Sequence, residues 1–222
     1  MNDNIKVGLI ESGILSAPEN EIEISESFSR DVDEMQEFVN GADPDEVYNR
    51  LSEALRKHLD PEFVQILMTK DDRLLSYLLV IDNREVNIPL EYLRPLLLII
   101  DHLEKGMPKD SDSPESFLPI RPDQLDIIKS LYEKFVLYIW REECDPCDLM
   151  KTEFDDILQD EELDLGLFAL YGPSCAQKLQ KEYDVHAGPT TLFFLREQID
   201  TRLVGAQYRS PIKNELETLD TL

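Results

Sequence analysis

Leu137-Tyr138-Ile139-Trp140-Arg141-Glu142-Glu143-Cys144-Asp145-Pro146-Cys147 is the stretch on which the reading of this chain turns. Its first part closes a continuous apolar run, Phe135 to Trp140, rich in aromatics, which is the pattern of a buried central strand. Its second part sets two cysteines three residues apart where a helical pattern begins, with Met150, Phe154, Ile157 and Leu158 on one face of a helix from Asp145 to Leu158. Two sulfurs at that spacing can meet across a first helical turn. Cys144 lies beside backbone N–H groups that have no intrahelical partner and beside the positive end of the helix dipole, and both favour thiolate over thiol. Pro146 loses nothing there, because the N–H it lacks would have gone unpaired. Cys147 shares the face of Met150 and Phe154 and is expected to be the less exposed, resolving thiol. With three cysteines, too few for a disulfide scaffold, the chain is expected in a reducing cytosol, and there a Cys-x-x-Cys at a strand–helix junction reads as a redox motif.

Outward from this stretch, strands and helices alternate. Phe117 to Ile120 is a short apolar piece, Pro122 to Glu133 is helical, Leu165 to Tyr171 reads as a strand, and Gly172-Pro173-Ser174 turns into a helix reaching about Tyr183. Thr190 to Leu195 and Ile199 to Val204 are strands joined by a tight turn at Arg196-Glu197-Gln198, and Ser210-Pro211 opens a closing helix. This order predicts an α/β unit over residues 117–222: a central sheet flanked by helices and ending in an antiparallel hairpin.

Upstream the rhythm is helical. Asp43-Pro44-Asp45-Glu46 is a strong helix start, followed by Val47, Leu51, Leu55 and Leu59 as one apolar stripe. Asp60-Pro61-Glu62 repeats the device, and a further helix runs from Asn87 to Glu104. The predicted division is a loosely ordered acidic lead-in (1–30), an α-helical domain (31–110), a polar linker (111–116) and the α/β unit (117–222). The helical domain is expected to bind a protein partner.

The α/β half resembles the thioredoxin family. Trp140-Arg141-Glu142-Glu143-Cys144-Asp145-Pro146-Cys147 is similar to that family's Trp-x-x-x-Cys-x-Pro-Cys, and Val185-His186-Ala187-Gly188-Pro189-Thr190 to its cis-proline segment. The resemblance implies a thioredoxin fold and thiol–disulfide oxidoreductase activity. It assigns Cys144 as attacking thiol, Cys147 as resolving thiol, and Trp140, Pro146, Gly188 and Pro189 to substrate binding. Protein disulfides and a reductase would be the partners, with no cofactor. Gly205 matches a family glycine near the same surface. Three positions depart from the pattern: Tyr138 stands where the family carries a buried Asp, Phe168 where a Lys is expected to pair with it, and Glu143 where an aromatic residue commonly precedes the first cysteine.

Composition narrows the alternatives. Among 222 residues, 47 are Asp or Glu and 22 Lys or Arg, a formal charge of −25, and the excess runs through both halves. Such a surface repels phosphate backbones and anionic headgroups, which argues against nucleic-acid or membrane-surface roles. It suits a salt-rich cytosol, since at ~1 M salt the Debye length is about 3 Å and self-repulsion is screened. No apolar run approaches the ~20 residues of a membrane span, and the first residues lack the basic-then-apolar pattern of a secretory signal. Three cysteines are too few and too odd in number for a disulfide scaffold. Two other readings stay open. Cys175 and His186 could complete a Cys₃His zinc site with the dithiol, and the dithiol could be a redox sensor in a non-catalytic binding module. Glu142, Glu143, Asp145 and Asp148 form either a solvated rim or a charge filter for partners.

Overall fold

The computed structural model describes residues 3–18, 21–59, 61–86, 88–159 and 163–222. Asp60 and Asn87, expected to open helices, fall outside these residues. The chain divides into two compact units, Met1–Met107 and Pro108–Leu222. Among the described residues no helix is long and apolar enough to cross a membrane.

The first unit is helical. Helix α1 (Asp3–Glu11) leads into a short antiparallel pair, β1 (Leu15–Ser16) and β2 (Glu23–Ile24), and then α2 (Glu26–Gly41). This corrects the expectation of a loosely ordered lead-in: Leu9, Ile14 and Phe28 are fully buried. The organiser is remote in sequence. The Arg84 guanidinium donates to the carbonyl oxygens of Gly13 at 2.6 Å and Ser12 at 3.1 Å, pairs with Asp31, and lies over the Phe28 ring. Ser25 caps α2 by accepting from the Phe28 N–H at 3.0 Å.

The apolar stripe from Val47 to Leu59 is not one helix: Val47 and Leu55 fall on two short helices, with Leu51 and Leu59 just beyond their ends. Helix α3 (Pro44–Arg50) starts with the capping box of Asp43 and Glu46, as its sequence indicates. It stops at Leu51 because the Ser52 N–H donates to the Asp82 carboxylate at 2.6 Å and its hydroxyl caps α4 (Glu53–Arg56). Helix α5 (Pro61–Lys70) precedes α6 (Asp72–Asn83), whose residues Leu74 to Ile81 are all buried, and α7 (Leu90–Lys105) ends at Gly106. A helix apolar all round belongs at the centre of its unit, and α2 packs mainly along α6. At one edge Arg73 pairs with both Glu104 and Asp33, while the Tyr77 hydroxyl donates to Glu104.

The second unit is built on a five-stranded sheet. Its strands are β3 (Leu118–Ile120), β4 (Lys134–Trp140), β5 (Gly166–Tyr171), β6 (Thr190–Leu195) and β7 (Gln198–Val204), in spatial order β3-β5-β4-β6-β7. Strands β3, β5 and β4 run parallel; β6 is antiparallel to β4, and β7 to β6. Helices α8 (Leu125–Leu131), α9 (Asp145–Leu158), α10 (Ala176–Tyr183) and α11 (Arg209–Thr221) complete the unit. Strand β4 is central and buried from Phe135 to Trp140, as its apolar run indicates. The closing helix begins at Arg209, just ahead of the expected Ser210-Pro211. Arg196 and Glu197, both at positive φ (49° and 66°), form the tight turn between β6 and β7.

The polar stretch expected as a linker is instead ordered against this unit. Pro114 is buried, the Glu115 N–H donates to the Asp155 carboxylate at 2.7 Å, and Phe117 sits in the core with Tyr138 and Phe154.

Candidate active site

Strand β4 delivers the site and α9 holds it. After Trp140 the chain leaves the sheet, passes through Glu143 in the left-handed region (φ 50°), and enters α9 with Cys144 as its cap. Non-glycine residues seldom adopt that conformation, so the turn into the helix places local strain directly before the first cysteine. Cys144 and Cys147 are joined as a disulfide with their Cα atoms 5.2 Å apart. The Cys147 N–H, which also donates to the Cys144 carbonyl oxygen at 2.7 Å, points at Cys144 Sγ from 3.3 Å, so one donor of the first turn reaches that sulfur at the positive end of the helix. Cys144 is 4% exposed and Cys147 fully buried; the accessible edge of the pair belongs to Cys144. Pro146 is exposed in the first turn.

The loop before β6 supplies the facing wall. The Gly188–Pro189 peptide bond is cis, as the resemblance implies, and Cys144 Sγ lies 3.9 Å from the Gly188 carbonyl oxygen. Gly205, at φ +76°, donates its N–H to the Pro189 carbonyl at 2.9 Å and so fixes this loop to the end of β7. Only glycine takes that φ without penalty. Beside the loop is a groove of ≈ 480 Å³ bounded by Trp140, Arg141, Pro173, Leu179, His186 and Gly188. Trp140 is fully buried, shares a core cluster with both cysteines, and its indole N–H has no partner among the described residues.

Beneath the dithiol the structure is buried and aromatic. Tyr138 is fully buried and its hydroxyl donates to the Cys147 carbonyl oxygen at 3.0 Å. Its ring meets Phe154 and Phe117 edge-on, at centroid distances of 5.5 and 6.1 Å. Burial, reinforced by Asp148, Asp112 and Asp155, pushes the phenol above its ordinary value, so it stays protonated and cannot take a proton from Cys147.

The sheet register corrects one sequence assignment. Ala169, not Phe168, is the in-register neighbour of Tyr138 on β5. Residues paired across a sheet share a face, so Phe168 points the other way, against Tyr132 and Phe135. The missing lysine therefore corresponds to Ala169.

Cys175, Cys144, Cys147 and His186 are not brought together. Among the described residues no group of three or more His, Cys, Asp or Glu could hold a metal ion. Cys175 is a half-buried free thiol at the cap of α10, its pKa raised by burial. His186 is exposed, with Nε2 2.8 Å from the Asp184 carboxylate.

The sequence reading missed one part of the rim. Lys109, well ahead of the motif, forms an ion pair with Glu142 and lies 4.5 Å from the Tyr171 ring centroid. Tyr171 in turn packs against Trp140 with centroids 5.0 Å apart, and its hydroxyl reaches Glu142 at 3.4 Å. Nothing in the composition of Lys109-Asp110-Ser111 signals that contact.

No family model and no curated protein sequence matches the chain. Solved structures do. One is a thioredoxin of Malassezia sympodialis, with 24% identity, 47% of this chain and 91% of that chain covered, and a TM-score of 0.43. A second is a mutant thioredoxin from Halobacterium salinarum, at 21% identity, 50% and 96% coverage, and TM-score 0.43. A third is mitochondrial thioredoxin 3 of Saccharomyces cerevisiae, at 20% identity, 47% and 96% coverage, and TM-score 0.40. The chain's own strand order, its cis-proline loop and its dithiol-capped helix give residues 108–222 a thioredoxin-like fold.

Proposed function

We propose that the chain is a thiol–disulfide oxidoreductase acting through Cys144 and Cys147. The observation that carries this reading is the seat of Cys144: it caps α9, accepting from the Cys147 N–H at 3.3 Å, at the accessible edge of the pair and 3.9 Å from the Gly188 carbonyl. In the reduced protein the Cys144 thiolate attacks one sulfur of a partner disulfide, and the partner's other sulfur leaves as a thiolate that takes up a proton. Cys147, losing its proton, then attacks Cys144 Sγ and releases the second partner thiol. Two electrons and two protons pass to the partner, and Cys144–Cys147 is left oxidised. Gly188, beside Pro189, is half-buried and offers main-chain groups at which an extended partner strand can dock.

A second reading has an observation in its favour. With Tyr138 and Ala169 beneath the dithiol, no carboxylate or lysine sits at those two positions to accept the Cys147 proton, which fits a slowly exchanging redox sensor. Turnover separates the two. Reduction of insulin disulfides with dithiothreitol as electron source is expected to depend on both cysteines. A rate equal to dithiothreitol alone would favour the sensor.

A further inference from the structure

The acidic rim of the dithiol has a cation that comes from outside the motif. Glu142, Glu143, Asp145 and Asp148 surround Cys144 in sequence, and Arg141 is the only base among residues 141–150. Arg141 donates from Nη1 to the carbonyl oxygens of Glu142 and Glu143, both at 3.3 Å. His186, on the approach to the cis-proline loop, is held by Asp184. The carboxylate two residues before Cys144 is met instead by Lys109.

That lysine is carried on an ordered strap. Ser113 donates its N–H and hydroxyl to the Asp110 carbonyl, Glu115 is tied to Asp155 on α9, and Phe117 is anchored between Tyr138 and Phe154. The Lys109 ammonium meets the Glu142 carboxylate and the Tyr171 face. The ion pair with Glu142 holds its pKa above the ordinary lysine value, so the charge is present throughout the range in which a thiol titrates.

Resting on the oxidoreductase reading, we infer that Lys109 is a positioning residue of the dithiol: by neutralising Glu142 it keeps the Cys144 thiolate populated despite the acidic rim. Lys109 touches neither sulfur. It acts through Glu142 and through the Tyr171–Trp140 stack that backs the dithiol. A unit charge on the order of 10 Å away, in a medium between protein and water, changes a thiolate population by roughly two- to tenfold. Because the pair is partly exposed, the effect must fade with salt.

The test is the alkylation rate of reduced full-length protein carrying Cys147→Ser and Cys175→Ser, so that iodoacetamide reports Cys144 alone, measured against pH at low salt and at ~1 M KCl. Lys109→Met keeps the aliphatic stem over Tyr171 and removes the charge. It is expected to raise the apparent Cys144 pKa and slow alkylation near pH 7 by roughly two- to tenfold at low salt, with the difference lost in molar KCl. Lys109→Arg is expected to match the parent, and Lys109→Met with Glu142→Gln to return towards it. Glu142→Gln alone, which leaves the strap intact should Lys109→Met misfold, is expected to speed alkylation at low salt. The inference is overturned if Lys109→Met and the parent share one low-salt profile, if their difference persists unchanged in molar salt, or if Glu142→Gln leaves the rate unaltered. These readouts do not depend on turnover, so a protein that fails to reduce insulin yet shows the Lys109 effect would count against the activity and not against this electrostatic role.

Discussion

The Tyr138 hydroxyl donates to the Cys147 carbonyl oxygen at 3.0 Å from a side chain with no exposure to solvent. The bond links the central strand to the first turn of the dithiol helix, inside a triangle of aromatic rings formed with Phe117 and Phe154. Tyr138→Phe keeps the ring and leaves the carbonyl with its helical partner, so the expected loss is about 1 kcal/mol, read by denaturant unfolding of the oxidised protein. Tyr138→Asp places a carboxylate among rings with Ala169 alongside. It is expected to destabilise by more than Tyr138→Phe at pH 7 and to recover as pH falls and the acid protonates. Equal stability of the two variants at pH 7 would contradict this description of the dithiol floor.

In the first unit, burial opposes ionisation of Glu104, but hydrogen bonds from Arg73 and Tyr77 outweigh it and hold the carboxyl below its usual value. A carboxyl with a depressed folded pKa contributes stability that is fully present above its unfolded value, near 4.5, and is lost as pH falls through the folded value. Glu104→Gln is therefore expected to cost about 2 kcal/mol at pH 7 and to approach wild type as pH falls below the ordinary carboxyl value and through the depressed folded one. A loss that stays constant down to acid pH would show that the interaction is not ionic.

Phe117 ties the strap to the core of the second unit, with its ring centroid 4.8 Å from that of Phe154. Phe117→Ala is expected to destabilise the second unit by about 3 to 5 kcal/mol. It should also expose residues 108–116 to limited proteolysis, from which wild-type protein is protected there. Rapid cutting of wild type within 108–116 would contradict the docked strap.

Much of the second unit is readable because its signals are local. The apolar run of β4, the cysteines at the start of α9, and the turn at Arg196 and Glu197 each depend on residues within a few positions of one another. The features that differ from expectation depend on distant partners. The lead-in is ordered by Arg84, 71 positions from Gly13, and the helical stripe is broken at Ser52 by Asp82, 30 positions away. Ala169 rather than Phe168 faces Tyr138 because a shift of one residue reverses every side chain of a strand, and only the register decides it. Lys109 is invisible for the same reason: its role exists only once the strap has docked.

With a formal charge of −25 over 222 residues, self-repulsion at low ionic strength is expected to limit stability, so the melting temperature should rise with KCl towards molar concentrations. A flat or falling curve would remove the argument for adaptation to a salt-rich cytosol while leaving the dithiol chemistry untouched.

The division of labour between the two cysteines is tested most directly by trapping. Reduced Cys147→Ser and Cys144→Ser proteins, each also carrying Cys175→Ser to remove the third, free thiol, are mixed with a disulfide-bonded peptide and followed by intact mass spectrometry. Cys147→Ser is expected to accumulate a mixed disulfide through Cys144 that persists for want of a resolving thiol. Cys144→Ser, whose remaining motif thiol is fully buried, should form adducts at least about tenfold more slowly. No adduct with Cys147→Ser, or equal trapping by the two variants, would contradict the assignment of Cys144 as the attacking thiol.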